Sequence, residues 1–190
     1  MCYAIVLIEL NLSGKIQMVR KLNIGGEHPH PDWEIFNIQP GEHVDHVGYA
    51  QDLSRFADET FDEIYASHVL EHFDFTGSLQ TALKQWHRVL KHSGKLYISI
   101  PNMDVLCKLF LMKDKYTIKQ RYTIMHLMFG AHTNQNDYHY VGFDFDILGK
   151  FLADAGFTRM NPVEDFGIFE DISSFRIKGI PISLNVIAFK

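Results

Sequence analysis

Only two cysteines, Cys2 and Cys107, occur in 190 residues, far apart and without ligand-like spacing. Neither a disulfide framework nor a zinc knuckle is indicated, and a reducing, cytoplasmic setting fits that scarcity. Positive charge is also in deficit. The 18 Lys and Arg residues stand against 23 Asp and Glu, a net charge of -5, which argues against a nucleic-acid backbone as the main partner. Long apolar runs are missing. The run from Cys2 to Ile8 has no basic flank, stops at Glu9, and is far shorter than the roughly 20 residues that span a bilayer. It reads as a strand or helix start, or as a tail, so residues 1–19 are expected to form an N-terminal extension. Asn11-Leu12-Ser13 matches a glycosylation sequon, but with no secretory signal it carries no chemistry. No internal repeat or low-complexity segment is evident.

What is present is the mix of a soluble globular chain, 46% hydrophobic and 22% charged. Residues 1–190 are read as a single domain, long enough to bury roughly 70% of the surface its unfolded chain exposes. The sequence carries no signal for an oligomeric state.

A short apolar run from Leu22 to Ile24 ends in Gly25-Gly26, a pair that lets the backbone turn sharply or approach a ligand closely. Residues 34–38 predict a second strand, closed by Gln39-Pro40-Gly41. About nine residues lie between the two, fewer than the dozen a helical crossover needs, so the first crossover helix is expected to be missing or reduced. A weak third strand is predicted within 43–48, followed by a loop or single helical turn at 52–56. Residues 61–67 predict a fourth strand, and His68 to Phe73 a loop.

From Ser78 to Lys91 the residues Leu79, Leu83, Trp86, Val89 and Leu90 share one helical face, with Ser93-Gly94 as the expected stop. Lys95 to Ile100 is β-rich and is halted by Pro101. Two helical patterns, 105–112 and 118–129, lie in a stretch read as a helical insertion or lid over 103–140. Residues 144–155 predict a further helix stopped by Gly156, and strands are expected over 158–164 and 183–189. Alternating strands and helices imply an α/β fold with a doubly wound, mostly parallel sheet, whose ligands bind beyond the carboxyl ends of the strands. Gly25-Gly26-Glu27, Asn37, Asp52 and Ser67-His68 all fall at such ends.

These residues resemble the class I S-adenosylmethionine-dependent methyltransferases, in particular the small type-11-like group. KLNIGGE, WEIFNIQPG, VDHVGYAQDLSRFADETFDEIYASHVLEHF and VLKHSGKLYISIPN carry the resemblance. HYVGFDFDILGKFLADAGF and PISLNVIAFK look like the family's later helix and its antiparallel last strand. The resemblance implies a Rossmann-like sheet and S-adenosylmethionine as cofactor. The methyl acceptor is unidentified and is expected to be a small molecule or a glycan or metabolite intermediate, while the charge balance and the short apolar runs lead to no nucleic-acid partner and no membrane span being expected.

Carried over by position, Asn23, Ile24, Gly25, Gly26 and Glu27 would lie under the methionine part of the cofactor. Asn37, with Ile38 beside it, would meet the ribose, Asp52 and Leu53 would flank the adenine, and Ser67, His68 and Val69 would line the floor. Two positions depart from the family pattern: Glu27 replaces a glycine, and Asn37 replaces the acid that binds the ribose. A catalytically degenerate, methyltransferase-like binding module therefore stands as the alternative function.

Transfer to oxygen or nitrogen also needs a base, for which His72 and His139 are the candidates. A rival motif, His68-x-x-Glu71-His72, occurs in zinc peptidases, but there it belongs on a helix, whereas here it directly follows a strand. His43 and His46 would face opposite sides of a strand, so no metal site is assigned.

Overall fold

The computed structural model describes residues 8–10 and 16–190, with side chains from residue 19 onward. Cys2 and the 11–13 sequon lie outside the described residues. Strands β1 (Ile8–Leu10) and β2 (Ile16–Met18) pair only with each other, antiparallel, apart from the main sheet.

The main sheet has seven strands. Parallel pairing joins β3 (Lys21–Ile24) to β4 (Glu34–Asn37) and to β6 (Phe61–Ser67), β4 to β5 (His46–Val47), and β6 to β7 (Leu90–Pro101). At the far edge β8 (Arg159–Val163) and β7 flank β11 (Ser183–Phe189), which runs antiparallel to both. The order is β5-β4-β3-β6-β7-β11-β8. This is the Rossmann-like, mostly parallel sheet with an antiparallel last strand that the sequence predicts. A separate hairpin, β9 (Arg176–Ile177) with β10 (Ile180–Pro181), turns through Lys178 and Gly179, both at positive φ. Sequence reading does not anticipate it, although an X-Gly pair between apolar residues is its usual signal.

Side-chain alternation assigns the two faces. Ile64, Ala66, Leu96, Ile98 and Ile100 join an aliphatic core with α1 (Ser78–Val89) and α4 (Phe145–Ala155). Helix α1 buries Leu79, Ala82, Leu83, Trp86 and Val89, and α4 adds Leu148, Leu152 and Ala155. The opposite face presents Tyr65 and Tyr97, paired in register, with Trp33 and Phe166 packed edge-on around them and Phe169 tilted against Tyr65. Aromatic side chains from the 165–175 segment cover Tyr65 and Tyr97. Helices α2 (Met103–Leu111) and α3 (Ile118–Phe129) pack on each other around a smaller cluster of Leu106, Leu109, Tyr116, Ile124 and Ile182. Among the described residues, no helix is long and apolar enough to cross a membrane.

Residues 25–33 contain no helix, as the short spacing predicts, and turns likewise replace helices over 38–45 and 48–60. The end of α1 differs from expectation. It stops at Val89 because Leu90 is already buried in β7, opposite Phe61. Ser93-Gly94 instead forms an irregularity in that strand, with Ser93 at φ 64° and the register shifting from Phe61↔Leu90 to Glu63↔Lys95. Gly156, at φ 107°, ends α4 in the left-handed conformation the sequence predicts.

Candidate functional site

The carboxyl ends of β3, β4 and β6 open onto a cavity of ≈ 680 Å³, within the size range of small-molecule sites. Gly25 turns the chain out of β3 at φ 82°, and its amide donates to the Phe36 carbonyl at 2.8 Å. A Cβ on Gly25 would lie 2.5 Å from Val69 Cγ2, so only glycine fits both that backbone angle and that approach. Asn23 is buried and its side chain lies against Gly26, where an added Cβ would meet Asn23 Nδ2 at 2.5 Å. Asn37 bridges two loops: its Nδ2 donates to the Gly26 carbonyl and its Oδ1 accepts from the Gln39 amide, both at 2.9 Å.

Of the residues assigned from sequence, Ile24, Gly25, Glu27, Asn37, Ile38, His68, Val69 and His72 line the cavity. Asn23 and Gly26 lie behind it and shape the loop. Asp52 is exposed and caps the Ser54 amide at 3.0 Å. Leu53 is fully buried in the core, and its carbonyl accepts from Arg88 at 2.9 Å. Neither is on the cavity wall, where the same segment presents Tyr49, Ala50 and Gln51 instead. Ser67 is at the end of β6 with its hydroxyl buried and unpartnered, and His139 is not on the wall, which its neighbour Tyr140 lines.

Sequence reading missed the other wall. Asp74, Ser78 and residues 133–137 belong to the lining, and the polar run TNQND is a signal only once its place on the cavity is known. Thr133 holds Asp137 through its amide at 3.1 Å and its hydroxyl at 2.7 Å, and these bonds keep the Asp137 carboxyl below its ordinary value.

Beside the floor lies a polar cluster. His68, at φ 53°, leaves β6 in the left-handed region, where non-glycine residues are uncommon and mark local strain. Its Nε2 lies 2.9 Å from Ser183 Oγ, and its Nδ1 lies 3.1 Å from Glu71 Oε1. The latter contact is at ion-pair distance, and the other oxygen of the fully buried Glu71, Oε2, has no partner. Burial alone would push the Glu71 carboxyl up. The facing His68, with His72 and His139 adding, holds it below its ordinary value instead.

His72 and His139 meet edge to face at 4.8 Å between ring centres. Burial lowers the His139 pKa below its ordinary value, and Glu71 opposes that shift while the two other histidines reinforce it. Two bonds join the 131–140 loop to the Leu70–His72 3-10 turn: Tyr140 N–H donates to the Glu71 carbonyl at 2.8 Å, and His72 Nδ1 lies 3.1 Å from the Tyr138 carbonyl. The peptidase pattern needs its two histidines one turn apart on a helix. Here His68 precedes a 3-10 turn and faces Glu71, so that pattern's geometry is absent.

Residues 34–98, about a third of the chain, match the family model described as a methyltransferase domain. A search of curated proteins finds no match to this chain. Among solved structures, an S-adenosylmethionine-dependent methyltransferase from Archaeoglobus fulgidus aligns with TM-score 0.57 and 16% identity, over 90% of this chain and 86% of that one. A 1,6-didemethyltoxoflavin N1-methyltransferase from Burkholderia thailandensis, bound to its acceptor and S-adenosylhomocysteine, aligns with TM-score 0.56 and 18% identity, over 90% and 70%. The CurJ carbon methyltransferase aligns with TM-score 0.55 and 18% identity, over 90% of this chain and 48% of that one. At such identities the likeness establishes the fold, and the last two neighbours are named for nitrogen and carbon methylation respectively. The resemblance read from the sequence is met by the family match and by the strand order.

Proposed function

We propose that this chain, built on the class I methyltransferase fold, binds S-adenosylmethionine in the cavity and passes its methyl group to a small-molecule acceptor. The observation that carries the reading is the charge of the wall. Glu27, Asp74 and Asp137 line it, while no Lys or Arg does among the described residues. Rossmann-like sheets more often hold phosphates on a helix N-terminus, and residues 25–33 supply none. A wall of carboxylates without that helix suits a ligand bearing positive charge, and the sulfonium and ammonium of S-adenosylmethionine outnumber its single carboxylate.

The Gly25 turn, with Asn23, Ile24, Gly26 and Glu27, would hold the methionine part. Asn37 would meet the ribose with the amide hydrogen and lone pair left over from its two loop contacts. Ile38, Tyr49, Ala50 and Gln51 would frame the adenine in place of Asp52 and Leu53, and His68 and Val69 would form the floor, with Ser67 behind them. When bound, the cofactor supplies an electrophilic methyl group on sulfur. The chain's own part is to orient the acceptor and accept its proton. His72 stands on the wall for this purpose, and His139, kept neutral by burial, stands behind it. The scarcity of cysteine supports a cytoplasmic setting.

Calorimetric titration with S-adenosylmethionine, S-adenosylhomocysteine and NAD tests the reading. Binding of the first two in preference to NAD is expected, and no binding of either at millimolar concentration overturns it. Asn37, a neutral group already engaged on both sides, favours a second reading as a binding module without transfer. Binding of S-adenosylhomocysteine with no methyl transfer across a panel of hydroxyl and amine acceptors would support that second reading.

A further inference from the structure

We infer that Glu71, His72 and His139 form a site for one first-row transition dication of the zinc or manganese kind, at the edge of the cofactor cavity. One ligand atom from each side chain lies within 4.8 Å of the other two. A tetrahedral shell with metal bonds of ~2.1 Å places ligand atoms about 3.4 Å apart, so small side-chain rotations close the site.

The independent sign is Glu71. A carboxylate at 0% exposure whose Oε1 has only His68 at 3.1 Å, and whose Oε2 has no partner, is an expensive arrangement unless a further positive group completes it. His68 approaches one oxygen at 3.1 Å, in the manner of an outer partner that orients a ligand carboxylate. His139 Nδ1 is likewise buried without a partner. His72 Nδ1 faces the Tyr138 carbonyl, which can only accept, so that nitrogen carries the hydrogen and Nε2 keeps its lone pair. Two imidazoles with one carboxylate select zinc, manganese or iron over magnesium and calcium, which prefer all-oxygen shells.

His72 is on the cavity wall, so an ion bound to it is reached from the same space as the proposed cofactor. The consequence for substrate class rests on the methyltransferase reading. A cation there would take the lone pairs of His72 and His139 and so replace their role as bases: it would hold an acceptor through oxygen and ease the loss of its proton to solvent, which favours hydroxyl-bearing or carboxylate-bearing small molecules. The site itself does not depend on that reading.

The test uses the full chain stripped with a chelator and titrated separately with zinc, manganese and magnesium. One zinc per chain with micromolar or tighter affinity is expected, weaker manganese, and no magnesium. His72→Ala and His139→Ala, each checked for folding by circular dichroism, should weaken zinc by more than about 100-fold, the upper end of what outer-shell changes cause. Wild-type zinc affinity in either folded variant, or no stoichiometric zinc in the parent chain, overturns the inference. S-adenosylhomocysteine titrated into the same metal-free sample separates the two readings. Binding there without zinc binding sinks only the metal site, and zinc binding without it sinks only the cofactor.

Discussion

The contact between Gly25 and Val69 gives the sharpest quantitative expectation. Gly25→Ala places a methyl group 2.5 Å from Val69 Cγ2 and forces alanine to φ 82°. The left-handed backbone costs about 1–2 kcal/mol, and overpacking a filled site adds about 1–3 kcal/mol. Reduced freedom of the unfolded chain returns roughly 0.4–1 kcal/mol, leaving a net loss of about 2–4 kcal/mol. In a chain of this length that is a fall in Tm of roughly 5–15 °C. Val69→Ala removes the obstructing Cγ2 and should itself cost about 1–2 kcal/mol in lost apolar burial. In that background Gly25→Ala meets only the backbone strain, so the two substitutions should couple favourably by about 1–3 kcal/mol. Urea unfolding of all four proteins measures the cycle, and S-adenosylhomocysteine titration shows whether the repaired pair also recovers binding. A Gly25→Ala protein as stable as the parent, or coupling indistinguishable from zero, refutes the close approach of the two loops.

Arg88 donates to the carbonyls of Leu53 and Phe56, both at 2.9 Å, and to the exposed Asp58 at 2.7 Å. Arg88→Met should cost about 2–4 kcal/mol, because two carbonyls lose charged donors, whereas Asp58→Ala should cost under about 0.5 kcal/mol. Equal losses by chemical denaturation would contradict that division. Burial, with Lys190 adding, lowers the pKa of half-buried His87 below 6.5, while a backbone contact to Gly156 opposes the shift. The unfolded chain then takes up the proton first, so this contribution is whole above pH 6.5 and is lost as pH falls toward the folded value. His87→Gln should flatten the pH dependence of unfolding free energy between 7.5 and 5.5, and an unchanged slope would remove His87 as its source.

Where the sequence predicts well, local chemistry and tertiary packing agree. β6 and β11 fall on their predicted bounds because each alternates toward two covered faces, and α4 ends at Gly156 because glycine alone relieves φ 107° there. α1 fails at its end because Leu90 fits the helical stripe and the strand equally well, and pairing with Phe61 decides between them. Asp52 and Leu53 fail similarly. Leu53 is apolar enough to be drawn into the core, which turns its neighbour outward and leaves Ala50 and Gln51 on the wall. Glu71 and His72 carry a local signature, the H-x-x-E-H pattern, but nothing local joins His139 to them. The cluster exists because two backbone-directed bonds, Tyr140 to Glu71 and His72 to Tyr138, bring a distant loop onto the 3-10 turn.

The missing first helix and Glu27, which stands where the family pattern has a glycine, have one electrostatic consequence. A helix after β3 would aim the positive end of its dipole into the cavity and draw in anions. Here the chain runs from Gly25 to Trp33 as turns, anchored by Trp33 against Tyr65, Tyr97 and Phe169 on the far face of the sheet. With that dipole gone, a carboxylate at position 27 faces no helix terminus, and Asp74 and Asp137 extend the same sign along the opposite wall. On the proposed function, a glycine at 27 would leave the cofactor's ammonium to solvent, whereas Glu27 would give it a charged partner at the cavity edge. On the proposed function the two features belong to one arrangement, in which side-chain carboxylates would do for a cationic ligand what a helix terminus does for an anionic one.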